Sequence, residues 1–216
     1  MAEGDYEVAE ELAQELGIEA QDRERWGLTD LGHAKLFASL HASDVRFCFP
    51  WGKWLVWDGQ RWQEDQTGEI YRKARVVVQE LLDRAAERKK AIADELTRVL
   101  AGESDGEELK HLEQVAKAFW GWAKQSASVG RIDAMIKLAQ SEAGIAVLPE
   151  QLDADPWLFN AANGSVELKT GQLREHRRGD LLTKLALVSY GPGAACPLCA
   201  SYHLPCGPAG ELGRHA

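Results

Sequence analysis

Four tryptophans fall within twelve residues in the run Trp51-Gly52-Lys53-Trp54-Leu55-Val56-Trp57-Asp58-Gly59-Gln60-Arg61-Trp62. They bracket an Asp-Gly pair. Both central residues of a type I′ turn need positive φ, and Asp-Gly supplies that at low steric cost. The run predicts an aromatic β-hairpin that pairs Trp57 with Gln60, Val56 with Arg61, Leu55 with Trp62 and Trp54 with Gln63. Leu55, Trp57 and Trp62 then share one face, which reads as core, and Trp54, Val56 and Arg61 share the other. On that second face Arg61 would lie over Trp54, a cation–π contact worth about 0.5–1 kcal/mol if exposed. Interleaved aromatic and basic residues on a sheet also suit base stacking on single-stranded nucleic acid. The competing reading is that the tryptophans simply staple a small sheet to helices.

Around this hairpin the pattern alternates sheet and helix. Thr29 reads as the N-cap of a helix over about 30–42, with Leu36, Phe37 and Leu40 inward. A meander over about 45–49, 53–57 and 60–64 follows. Residues 71–100 are strongly helical, with Val78, Leu82, Ala85, Ile92, Leu96 and Val99 on one stripe. Residues 101–106 are a loop by composition. A second helix spans about 107–125 with Leu109, Leu112, Ala116, Phe119 and Ala123 inward. A third starts at Ser128, buries Ile132, Met135, Ile136 and Ala139, and ends at Gly144. Phe159–Ala162 and Ser165–Leu168 form a hairpin on Asn163-Gly164, followed by a strand at Leu173–His176 and a last apolar strand at Leu181–Val188. The order predicts an α+β fold: a small N-terminal meander, central helices and a second small antiparallel sheet.

The chain of 216 residues is long enough for a real core. No apolar run reaches the roughly 18 residues that span a membrane, and the acidic N-terminus is unlike a signal peptide, so a cytoplasmic, non-membrane protein is expected. The net charge of −9 is not an argument against nucleic acid. Nine acids and only two bases lie in residues 1–25, and the remainder is close to balanced. Residues 1–25 read as an acidic tail or linker, residues 26–195 as the folded domain and residues 196–216 as an irregular Cys/Gly/Pro-rich tail.

Several blocks in order resemble the phage and plasmid primase–helicase family, and more narrowly the helicase-associated domain that precedes the ATPase motor, shared with the poxvirus primase-helicase. They are Thr29-Asp30-Leu31-Gly32-His33-Ala34, with His33 where the family usually has Asn; the tryptophan hairpin; Ser128-Val129-Gly130-Arg131-Ile132-Asp133-Ala134-Met135; Leu152 to Asn160; Asn163 to Gly171; and Asp180-Leu181-Leu182-Thr183-Lys184. The resemblance covers about residues 29–197. It implies a part of a mobile-element DNA replication protein whose full-length relatives use ATP and Mg, assemble as homo-oligomeric helicase subunits and load on single-stranded or origin DNA.

A motor of that kind needs a Gly-x-x-x-x-Gly-Lys-Ser/Thr loop to cradle phosphates, and these 216 residues contain none. No ATP hydrolysis, catalytic residue or cofactor is expected of the chain by itself. Its expected role is contact with DNA or with other helicase subunits, and the alternative is a non-catalytic protein-interaction module. The basic residues Lys169, Arg174, Arg177, Arg178 and Lys184 cluster in the second sheet region and are candidates for phosphate contact, with a solvated strand edge as the competing reading. Arg131 stands in the first turn of its helix, where the dipole disfavours a cation; with Trp54 and Arg61 it completes the nucleic-acid candidates. His33 and His41 read as surface or hydrogen-bonded core histidines. Asp133, Glu142, Glu150, Asp153 and Asp155 fit no ligand pattern. In the tail, Cys196, Cys199, His203 and Cys206 have the composition of a Cys₃His zinc site, which would make a small zinc-dependent nucleic-acid binder. The abrupt change of character there matches a shifted reading frame instead.

Overall fold

A computed structural model describes residues 29–103 and 106–194. The chain divides into two compact units, each made of two separate stretches of sequence: a helical unit that includes residues up to 43 and 66–146, and a sheet unit from 44–65 and the residues from 147 on. Helices and two small sheets together make the expected α+β fold.

The helical unit contains α1 (Asp30–His41), α2 (Glu69–Leu100), α3 (Glu107–Ser126) and α4 (Val129–Ala139). Thr29 caps α1 as expected: its hydroxyl accepts from the Gly32 amide at 3.2 Å, satisfying one of the amides a helix start leaves unpaired. Leu36 and Phe37 are buried, but Leu40 is exposed. The 32 residues of α2 make a rod of roughly 48 Å. Its deepest apolar positions are Ile70, Ala74, Val77, Val78, Leu81 and Ala85. Of the expected stripe only Val78 and Ala85 are deeply buried, and Leu96 is exposed. The reason lies in the pairing with α3. Lys89 sits over Trp120 and Arg88 over Phe119, which makes α2 and α3 an antiparallel hairpin. Among the side chains described, apolar burial ends at Ala85 on α2 and begins at Ala116 on α3. Beyond that level one helix faces one helix, and such a pair covers only a narrow seam. α4 is shorter than expected: it ends at Ala139, and Gly144, at φ +80°, lies in the turn after it.

The sheet unit holds a four-stranded sheet in the order β3 (Trp62–Glu64), β2 (Lys53–Trp57), β1 (Val45–Cys48), β4 (Ala146–Val147), and a three-stranded antiparallel sheet of β5 (Leu158–Ala161), β6 (Gly164–Glu167) and β7 (Gln172–Arg174). The tryptophan hairpin forms with a different register. Trp57 pairs with Trp62, Val56 with Gln63 and Leu55 with Glu64, so residues 58–61 form a four-residue loop. The Asp58 side chain decides this: its Oδ1 accepts from the amides of both Gln60 and Arg61 at 2.8 Å, an Asx-type turn that competes with the two-residue alternative. Moving the partner of Trp57 by two residues keeps Leu55, Trp57 and Trp62 on one face, as expected. Cys48, Leu55, Trp62, Val147 and Leu152 form a core cluster, with Trp57 and Leu181 packed against it.

In the second hairpin the turn itself moves, by one residue toward the N-terminus. Ala161 pairs with Gly164, so Ala162-Asn163 is the turn and Gly164 opens β6. Gly164 has φ +149°, and a Cβ there would overlap the Arg174 carbonyl oxygen and stand 2.9 Å from Leu173 Cδ1. Gly164→Ala should therefore lower stability by about 2 kcal/mol, read as a shift of the urea midpoint without a change of slope. The expected strand at Leu181–Val188 does not form. Leu181 adopts φ +51°, and the carbonyls and amides after it are used one at a time: Leu182 O accepts from Trp62, Ala186 donates to Asn160, and Val188 O accepts from Ala162. A single parallel bridge, Ala161 to Ala186, is all the ladder that results.

Candidate nucleic-acid interface

The motif residues behind the resemblance mostly hold the fold together. In the helical unit the Asp30 carboxylate pairs with Arg131, so the cation in the first turn of α4 is answered by an acid from the first turn of α1. His33 is fully buried, stacked on Trp122 with ring centroids 4.5 Å apart, its Nε2 2.6 Å from the Ser126 hydroxyl. Burial pushes its pKa down to about 4; Asp30 opposes the shift and Arg131 adds to it. His41 Nε2 stands 3.2 Å from the Lys73 carbonyl. Both are hydrogen-bonded core histidines, as expected. Tyr71 donates to Asp133 at 3.0 Å, and that bond raises the pKa of the phenol.

In the sheet unit the same economy holds. Asp153 and Leu181, the two non-glycine residues with left-handed backbone among those described, are clipped together: the Asp153 amide donates to Leu181 O, and its carboxylate accepts from the Thr183 amide at 2.7 Å and the Thr183 hydroxyl at 2.5 Å. Left-handed leucine costs about 1–2 kcal/mol, which these bonds offset. Asn160 donates to the Gln60 and Lys184 carbonyls, and its Oδ1 accepts from Ser165 and lies 2.9 Å from His176 Nδ1. Asn163 exchanges two hydrogen bonds with the Tyr190 backbone.

Most of the expected cationic residues are engaged with acids. Arg61 does not lie over Trp54. It belongs to the four-residue loop and turns to Asp58 at 3.5 Å, while Trp54 is half-buried edge-to-face against Phe47 at 5.1 Å. The guanidinium groups over the tryptophan hairpin are those of Arg46, 4.6 Å from the Trp62 ring, and Arg178, 6.0 Å from the Trp57 ring. Arg174 grips Asp180 through both terminal nitrogens at 2.7 and 2.9 Å, a fork that raises its pKa further. Arg178 pairs with Asp44 at 3.0 Å. Arg177 is exposed, and Lys184 is 88% exposed with its ammonium 4.0 Å from Asp153. Lys169 stands over the Trp157 ring at 4.9 Å. The five cations of this region therefore do not present one uncompensated track.

What the charge pattern missed is aromatic. Trp157 and Phe159 are 49% and 44% exposed, on the face of the β5–β6–β7 sheet that also carries Val166 and Leu173. The sequence signal was their i, i+2 spacing just before Asn160. Phe49 and Trp51, on the turn between β1 and β2, are exposed as well. Cys196, Cys199, His203 and Cys206 lie outside the described residues. Among the described residues no group of three or more His, Cys, Asp or Glu is placed to hold a metal ion, and no helix is long and apolar enough to cross a membrane.

No curated protein matches the chain significantly. A family model described as D5 N terminal like matches residues 34–202. That span begins inside α1 and runs through the seven strands of the described residues. It takes in Arg131 but not its partner Asp30, and it holds the whole of the Asp153–Leu181 clasp and the Asn160 and Asn163 hydrogen bonds. By this match the chain belongs to the D5 N terminal like family, the helicase-associated domain of primase–helicase proteins.

Proposed function

We propose that the chain is the part of a mobile-element replicative primase–helicase that stands ahead of the ATPase motor and acts by contact with DNA, without hydrolysing ATP by itself. The family match over residues 34–202 carries this reading. The absence of a Gly-x-x-x-x-Gly-Lys-Ser/Thr loop from these 216 residues and the exposed aromatic strip beside Lys169 support it. Contact with other helicase subunits is the second reading, favoured by the aliphatic Leu168 and Leu173, both about two-fifths exposed.

A fluorescence-anisotropy titration of a labelled oligothymidylate at 50 mM salt tests the DNA contact. Micromolar binding that weakens on raising salt to 200 mM is expected. Because few cations are uncompensated, the fall should be about tenfold, shallower than for proteins that neutralise six or more phosphates. No binding at 50 mM, together with sedimentation that shows self-association, would replace the DNA contact by the subunit contact. Zinc enters only through the Cys196–Cys206 cluster: one metal per purified chain would revive that site, and metal-free protein with the same fold would remove it.

A further inference from the structure

We infer that the apolar face of the β5–β6–β7 sheet is a stacking platform for single-stranded nucleic acid, with Trp157 and Phe159 each taking a base and Lys169 supplying the charge beside them. The inference deepens the DNA reading above and rests on it. Cross-strand pairing places Phe159, Val166 and Leu173 in one row, and Trp157, one pleat before Phe159, extends the ladder by accepting from the Leu168 amide at 2.8 Å. Alternate strand residues lie about 6.8 Å apart, twice the roughly 3.4 Å spacing of bases stacked along a strand. Each ring can then take one base of an extended strand.

The pleat sorts charge in the same direction. Glu167 and Arg174, the partner of Asp180, lie on the opposite face, with Asn160 and Ser165. Asp155 is turned back on the Trp157 amide at 2.9 Å. Lys169, in the turn after β6, reaches over to the Trp157 ring. A face with two half-exposed aromatic rings, a cation within 5 Å of one of them and Glu167 on its other side is complementary to an anion that carries flat bases. Aliphatic residues alone would give no reason to prefer nucleic acid to protein; the rings and the cation do.

The test uses the full chain and a labelled oligothymidylate at 50 mM salt, with Trp157→Ala, Trp157→Phe, Phe159→Ala and Lys169→Gln, each checked by circular dichroism and thermal melting. Trp157→Ala and Phe159→Ala are expected to weaken binding about tenfold each. Trp157→Phe should keep most of the affinity, and Lys169→Gln should weaken it a few-fold while flattening the salt dependence. Wild-type affinity in both folded alanine variants overturns the platform but leaves the DNA reading standing. No binding by the wild-type chain overturns both. Loss of self-association in Trp157→Ala with DNA binding unchanged assigns the face to a protein partner and overturns the platform. Were Trp157→Ala to misfold, Phe159→Ala and Lys169→Gln decide the matter alone.

Discussion

Replacing Trp62 with alanine should destabilise the sheet unit by about 4 kcal/mol, the largest effect expected of a single substitution in the chain. Trp62 is completely buried. It is tied from several sides: its indole N–H donates to the Arg178 carbonyl at 2.9 Å, its backbone amide donates to Leu182 O, the Arg46 guanidinium lies 4.6 Å over its ring, and Trp57 packs at 5.7 Å. Alanine would leave a cavity, an unpaired carbonyl and a desolvated guanidinium without its ring. Trp62→Phe separates these losses, since it keeps most of the volume and deletes the donor. It should cost about 1–2 kcal/mol. Urea unfolding followed by far-ultraviolet circular dichroism measures both. A loss below 1 kcal/mol for the alanine variant would mean that the unit is anchored elsewhere.

Acid should weaken the helical unit through His33, by about 3 kcal/mol between neutral pH and pH 4. The folded pKa is about 4 and the ordinary value 6.5, so the unfolded chain takes up the proton first. Stability from this group is complete above pH 6.5, falls by about 1.4 kcal/mol per pH unit below it, and levels off near pH 4. The cause is geometric. The ring is sealed between Trp122 and Ser126, and its Nδ1 has no hydrogen-bond partner. The nearest carboxylate, Asp30, is 4.0 Å away and committed to Arg131. His33→Asn removes the titrating group at the cost of the stack on Trp122. The variant should start less stable at pH 7 and lose less on acidification. Parallel stability–pH curves for the two proteins would clear His33 of the effect.

Local chemistry made the helices easy to anticipate and the strand registers hard. Thr29 announces α1 because a hydroxyl before an apolar-periodic run has one obvious use, and 3.6-residue periodicity anticipates the four helices of the described residues. It did not show where α2 leaves deep packing, because Leu96 and Val78 look alike in sequence and differ only in how many layers cover them. Both hairpins lie where expected, with each residue paired two positions from its expected partner, so the faces are kept. Turn dipeptides state a preference worth a fraction of a kcal/mol, and Asp58 and Gly164 met stronger local demands: two amides to satisfy in one case, a close carbonyl in the other. For the candidate interface, a basic residue in sequence says nothing about its neutralising partner. Asp30, Asp44 and Asp180 are distant or unremarkable in the chain, yet they compensate Arg131, Arg178 and Arg174. The i, i+2 spacing of Trp157 and Phe159 puts them on one face but does not say which, and tryptophan in a strand reads as core until its face is known.

The order in which the units use the chain has a consequence for biosynthesis. The stretches alternate, 29–43 with 66–146 and 44–65 with the residues after 147, so neither unit is a contiguous piece of the gene product. The Trp57–Trp62 hairpin leaves the ribosome early, but its outer amide waits for Leu182 and β1 waits for β4, roughly 100 residues later in synthesis. Closing so long a loop is entropically slow. Until it closes, the tryptophan-rich meander is a nascent sheet with open edges and bare indoles. Those are the features that nascent-chain chaperones engage and that cause aggregation when the chain is overproduced. Dividing the chain at any single peptide bond between residues 66 and 146 would separate the two stretches of the sheet unit and cut into the helical one. Expression of either piece alone should therefore leave the sheet unit unfolded, and co-expression of the two pieces should restore it.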